Sequence, residues 1–248
     1  MTAYSETAAR RLPRGWAHLA LQVGFWLGFY VVYQAARGVA DRGGVAAAFA
    51  NGEWIIDFQR SLNSMFELTL QRAIESSGVL IQATSITYWL SQFAVVGLAL
   101  CWVYFKAHVR FYAFRNTLIF GNLIGLVGYI VLPTAPPRMF PGAGFTDTLA
   151  AHSTVNHSST FVAFSSNPYA AMPSLHALDA LIVSVVMATL VRLRWAKALW
   201  LAWAPWVWFA VMATGNHFWL DVAAGILVAV VAGAVVYRPW RLRRALPV

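Results

Sequence analysis

Charge is what this sequence has least of. Only 11% of its 248 residues are charged, where a water-soluble domain carries about a quarter. That shortage excludes a disordered chain and an ordinary soluble enzyme, and a hydrophobic content of 60% with 12 Trp and 16 Phe makes lipid the solvent. Cysteine occurs once, as Cys101 inside an apolar run, which excludes an internal disulfide framework. No internal repeat or low-complexity tract divides the chain, and no His-Glu-x-x-His motif offers a zinc site. Residues 1–248 read as one membrane domain, with no room for a second large soluble one.

What the sequence does have is apolar length. Windows able to cross a bilayer, about 20 residues each, run over roughly 16–36, 79–105, 111–133, 173–191, 196–214 and 218–237. The expected fold is all-α: a polytopic membrane protein of six transmembrane helices, with its catalytic core at about 79–237. The first window follows Arg10, Arg11 and Arg14 and outruns a signal-peptide core, so it reads as a retained anchor. Placing the termini in the cytoplasm puts 13 of the 18 Lys and Arg on the inner side, leaving Arg37, Arg42, Arg60, Arg72 and Arg138 outside. That is the asymmetry of a cell membrane protein, plasma or inner. The net charge of +9 therefore marks orientation and calls for no nucleic-acid partner.

Two connections stand out. In 45–77, Ile55, Ile56, Leu62, Phe66 and Leu70 recur at near-helical spacing, while Glu53, Asp57, Arg60, Glu67, Arg72 and Glu75 take mainly the other positions. The spacing predicts an interfacial amphipathic helix on the outer leaflet, either a cap on the bundle or a substrate gate. The outer loop 134–172 is rich in Pro, Gly, Ser, Thr and Asn and is longer than structureless loops usually are.

The polar residues within the apolar frame converge at the outer ends of the helices. Pro133 to Arg138 ends the third span, Pro173-Ser174-Leu175-His176 opens the fourth, and Gly215-Asn216-His217-Phe218-Trp219-Leu220-Asp221 opens the sixth. His217 and Asp221, four apart, share a helical face. Asp221 there can accept the Nδ1 proton and leave Nε2 of His217 as a nucleophile; alternatively, Asp221 caps the helix and His217 is an interfacial residue. Pro173 suits an early helical position, and Ser174 with the amides of that helix start forms an anion site. Arg138 offers a planar fork of donors suited to phosphate, or is a surface arginine binding headgroups. Together these groups meet the needs of phosphoryl transfer: His217 attacks phosphorus, His176 protonates the departing alcohol, and Arg138 with Ser174 neutralises the equatorial oxygens.

The Pro-Ser-Leu-His and His-x-x-x-Asp elements resemble the second and third signature motifs of the type 2 phosphatidic acid phosphatase superfamily, over about residues 50–237. Within it, Pro-Thr-Ala-Pro-Pro-Arg, Ala171 to His176 and Thr214-Gly215-Asn216-His217 are similar to the aureobasidin-resistance, or inositol phosphorylceramide synthase-like, branch. The resemblance implies a six-helix membrane fold, catalysis without metal or cofactor, a His217–Asp221 nucleophile pair and His176 as acid/base. It also implies a lipid phosphate or phospholipid substrate, with water or an alcohol such as inositol as acceptor. Two departures stand beside it. The superfamily's first motif is absent, Lys106 being followed at seven residues by Ala113, and Ala210-Val211 replaces the Ser-Arg pair before the third motif. Arg138 is left to carry more of the phosphate binding.

Arg115 is no substitute, because its 23-residue separation from Arg138 spans about 34 Å of helix. Asp179, one turn after His176, suits an orienting or structural role. Asn167, Tyr169 and Asn216 are candidates for the substrate pocket. His18, His108, His152 and His157 have no constellation around them in the sequence. A phosphatase and a phosphotransferase differ only in the acceptor, and a non-enzymatic lipid-binding or transport protein is the competing class.

Overall fold

The computed structural model describes residues 12–40, 44–149 and 168–245, with side chains described to residue 36 in the first helix and to residue 237 in the last. His152, His157 and Asn167 lie outside the described residues. The helices are α1 (Gly15–Ala40), α2 (Val45–Ser61), α3 (Glu67–Glu75), α4 (Gly78–Leu90), α5 (Val96–Lys106), α6 (His108–Val131), α7 (Leu175–Leu190), α8 (Arg194–Ala213) and α9 (Trp219–Ala245). A π-helical turn, Ser91–Val95, joins α4 to α5.

Among the described residues, five stretches are long and apolar enough to cross a membrane: Gly15–Ala36, Gly78–Lys106, His108–Val131, Arg194–Ala213 and Trp219–Tyr237. The remaining apolar helix, α7, has only 16 residues, roughly 24 Å of helix. It is also the innermost: eleven of its 16 residues are buried, and it packs against α6, α8 and α9. A helix apolar on all sides belongs in the middle of a bundle, where it need not match the bilayer thickness itself. The outer helices show the reverse pattern, with Leu98, Val131 and Leu227 each more than 60% exposed, which fits side chains facing lipid. Pro205 lies inside α8, an interruption that membrane helices accept when neighbours satisfy the freed backbone.

Segment 45–77 forms two helices where the amphipathic pattern suggested one. The break falls at Leu62 to Phe66, with Asn63 in the left-handed region at φ 49°. Both helices cap the bundle. Asn51 of α2 donates to the Pro133 carbonyl at 2.7 Å, Ala135 N donates to Ala48 O at 2.9 Å, and α3 packs against α8. Glu67, expected on the polar face, is 0% exposed, and Gln59 and Gln71 are buried with it. Glu53, Asp57, Arg60, Arg72 and Glu75 keep the exposed face that apolar spacing assigned them, whereas Glu67 turns inward to Gln59 and Trp219 N, and Gln71 exchanges hydrogen bonds with the Thr146 backbone of the loop after α6 at 2.8 and 3.0 Å.

Candidate active site

The segment after α6 is stitched to both histidine-bearing segments. Thr134 N donates to Tyr169 O at 2.8 Å, Ala171 N donates to Thr134 O at 3.2 Å, and Arg138 N donates to Gly215 O at 2.8 Å. The turn into α9 needs Gly215, which sits at φ +71° and where a Cβ would press to 3.0 Å on both Gln71 Nε2 and the Thr146 carbonyl. On the other side, α9 passes so close to the start of α7 that a Cβ on Gly225 would stand 2.2 Å from the Ser174 carbonyl. These contacts enclose a narrow cleft of ≈30 Å³, walled by Tyr88, Gln92, Arg138, His176, Asn216 and His217 among others.

His217, 4% exposed, has two acceptors near Nδ1. The Ala171 carbonyl lies at 2.9 Å and Asp221 Oδ2 at 3.5 Å. A carbonyl only accepts, so Nδ1 carries the hydrogen, and in the neutral ring Nε2 is then the unprotonated nitrogen. The four-residue spacing predicted Asp221 as the acceptor at Nδ1, but the nearer acceptor is a backbone group from the loop before α7. Asp221 Oδ2 accepts the Phe218 amide at 2.8 Å, reaching back to the residue before the helix as the acid of a capping box does. Its carboxylate therefore holds the turn and lies beside the ring. His176 stacks on Tyr88 with centroids 4.5 Å apart, and its ring stands 5.7 Å from that of His217.

Arg138 enters the cleft held at its head. Its Nη1 donates to Asn216 Oδ1 at 2.5 Å and its Nε stands 3.6 Å from Asp147 Oδ2. Asn216 is oriented in turn, its amide donating to Thr214 Oγ1 at 2.8 Å. Asn216 thus lies in the cleft as predicted, and much of what it does there is to fix the guanidinium.

Other predicted residues fall elsewhere. Ser174 is fully buried and does not line the cleft; its Oγ caps α7, accepting Ala177 N at 3.3 Å. Pro173 stands before that cap, after a cis Met172–Pro173 bond, and not within the helix. Asp179 is buried away from the cleft, accepting Asn122 Nδ2 at 2.8 Å and a hydrogen bond from Gln92. Tyr169 turns its ring toward Phe49 of α2, with centroids 6.2 Å apart, and is absent from the cleft wall.

Four contributors were missed in the sequence: Tyr88, Gln92, the Ala171 carbonyl and Glu67. Gln92 had a signal, a polar side chain in an apolar span, and it sits in the π-turn, a distortion common at functional sites. A backbone carbonyl has none. Glu67 Oε1 accepts Trp219 N at 2.6 Å and Gln59 Nε2 at 2.7 Å, so α3 holds the first amide of α9. Burial pushes the Glu67 carboxyl above its ordinary value, outweighing the hydrogen bonds from Trp219 and Gln59 that pull it down. The sequence also read His18 and His108 as isolated, whereas the structure groups them with Tyr104 and Tyr112 at the other end of α6.

No solved structure matches this chain. Over 181 residues it is 29% identical to a phosphoinositol dihydroceramide synthase of Bacteroides thetaiotaomicron, a match covering 62% of this chain and 59% of the relative, so less than two thirds of that protein's length is spanned. The PAP2 superfamily description matches residues 53–235, a range that begins in α2, ends in α9 and takes in the whole cleft wall. With most of its length matched in this way, the chain belongs to the PAP2 superfamily.

Proposed function

We propose that this protein is a membrane enzyme acting on lipid phosphate esters through a phosphohistidine on His217, and that it transfers the phosphorus-bearing group to an alcohol. His217 Nε2 attacks phosphorus as the bond to the lipid oxygen breaks, and His176 gives its proton to that oxygen. The incoming hydroxyl then loses its proton to His176 and attacks the same phosphorus; the N–P bond breaks, returning His217 to its neutral form. Arg138, fixed by Asn216, neutralises the equatorial oxygens, and the positive end of α7, whose Leu175 and His176 line the cleft, adds to this. Ser174 supports the site as the cap of α7.

The observation that carries this reading is the pair of imidazoles 5.7 Å apart, one with its tautomer set by a carbonyl, beside a held arginine. Transfer is favoured over hydrolysis by the narrowness of the cleft, since a site that excludes water protects the intermediate for a second alcohol. The likeness to a phosphoinositol dihydroceramide synthase supports the same choice, with inositol-bearing lipid as the first substrate to try. The charge asymmetry supports cytoplasmic termini and a cleft at the outer face.

Purified protein incubated with labelled lipid phosphates and phosphoinositides, with and without acceptor alcohol and in the presence of a chelator, is expected to yield a new phosphorylated alcohol. Free phosphate alone would make it a phosphatase, and no turnover of any lipid would sink the reading. His217→Gln is expected to abolish an acid-labile phosphoenzyme, while His176→Ala still forms one from a substrate with a good leaving group. Label retained on the His217 variant would refute the nucleophile assignment.

A further inference from the structure

The second polar cluster lies at the opposite end of the bundle. Tyr112 and Tyr129, the latter in the cleft wall, are separated by 17 residues of α6, or about 25 Å of helix. At the Tyr112 end His18 of α1 bridges two phenols, with Nδ1 2.8 Å from Tyr104 Oη and Nε2 2.6 Å from Tyr112 Oη. Arg14 Nη1 donates to Tyr112 Oη at 3.0 Å, so that oxygen accepts from the guanidinium while also pairing with His18 Nε2. Arg115 donates to Gln22 and packs its guanidinium 4.8 Å from the Phe25 ring centre and 5.1 Å from that of Tyr112.

Two guanidiniums therefore gather on one tyrosine with no carboxylate among the described residues of that cluster to balance them. The sequence holds no Asp or Glu between 12 and 40 or between 76 and 146. Every described acidic residue lies in α2, α3, the loop after α6, α7 or α9. Beside Arg115 a cavity of ≈180 Å³ opens between α1 and α5, lined by Leu19, Trp26, Gly97, Leu100 and the exposed Cys101. Almost all of its wall is apolar, and its polar end is Gln22 and Arg115. Gly97 leaves open space where a side chain would project.

We propose that this groove is a binding site for one anionic glycerophospholipid, its phosphate at Arg14 and Arg115 and an acyl chain along Leu19, Trp26 and Gly97. A positive pole at the mouth of an apolar groove matches a molecule with a negative head and an apolar tail, and neither end alone explains both features. Bound there, the lipid sits too far from His217 to react and pins α1 to the bundle. Arg14, Leu19 and Trp26 precede the matched family region while Gly97 and Arg115 lie within it, and the site stands whether or not the proposed reaction is correct.

Cys101, the one cysteine of the chain, reports occupancy directly. The full chain in detergent is titrated with phosphatidylglycerol or phosphatidylcholine while the rate of Cys101 modification by a small maleimide is followed. Phosphatidylglycerol is expected to protect the thiol saturably and phosphatidylcholine to leave its rate near that of detergent alone. Arg14→Gln and Arg115→Gln should each weaken protection about fivefold, with Arg138→Gln, at the far end of the bundle, unchanged. Equal protection by both lipids, protection lost only in Arg138→Gln, or none at saturating phosphatidylglycerol would overturn the site, while leaving the phosphohistidine tests untouched.

Discussion

At His217 the Nδ1 nitrogen stands 2.9 Å from the Ala171 carbonyl and 3.5 Å from Asp221 Oδ2. The division of labour matters for mutations: Asp221→Asn keeps an acceptor for the Phe218 amide and alters only the carboxyl group beside the ring. Arg138 is similarly dependent on a neighbour. Losing a hydrogen bond to a charged group costs ~1.5–3 kcal/mol, so Asn216→Ala should lower kcat/KM by roughly tenfold to a hundredfold in steady-state assays. Glu67 gives a test in pH. Its folded pKa is raised above the ordinary 4.5 by burial, so its carboxyl binds a proton more readily in the folded state. Its contribution to stability is full below the unfolded value and lost as pH rises through the folded one. The Tm of Glu67→Gln should therefore gain on that of the parent protein as pH rises above 4.5. A constant difference across that range would refute the buried, proton-holding carboxyl.

Among the elements, the contact between α7 and α9 does most to define the cleft. Ser174 N donates to Asp221 O at 2.9 Å, linking the turn before one histidine to the helix after the other. Gly225 permits that approach, and the atom a side chain would meet is backbone, 2.2 Å away, so no rotamer change relieves it. Gly225→Ala is expected to destabilise the protein by about 3 kcal/mol or more, read as a fall in Tm, and to separate the two imidazoles, read as a loss of kcat. A variant with unchanged Tm would mean that the helices are not packed this closely. The amphipathic segment shows how far an element can be read from spacing alone. Periodicity correctly marks 45–77 as helical, yet Glu67 points into protein toward Trp219 N and Gln71 toward the Thr146 backbone, and a pattern of apolar positions cannot register polar partners brought in from 152 and 75 residues away.

For the whole molecule, the polar cleft and the basic cluster occupy opposite ends of one bundle. If the basic end is cytoplasmic, the two ends meet different solvents, and accessibility to an impermeant thiol reagent should differ. With Cys101 replaced by Ala, Gly142→Cys in the exposed loop beyond α6 is expected to label from outside intact cells, and Lys197→Cys at the start of α8 only after the membrane is opened. The opposite pattern would invert the topology and place the cleft inside. Both positions are exposed or at element ends, so neither substitution disturbs packing.

The sequence by itself determined the membrane helices, because hydrophobic length is a local property that each segment carries without reference to the others. The windows read from hydropathy and the helices observed differ by no more than four residues at their ends, except that α9 runs on to Ala245 and the second window is interrupted by the π-helical turn. It also determined which ends the polar residues occupy, since span number and motif position fix that together. Tertiary structure alone decided who holds whom. That Ala171 orients His217, that Asn216 and Asp147 flank Arg138, that Ser174 caps instead of facing the cleft, and that His18 joins Tyr104 and Tyr112 across 86 and 94 residues of chain all depend on contacts between distant segments. Backbone carbonyls and helix crossings leave no residue-type signature, so these relations exist only once the bundle is packed.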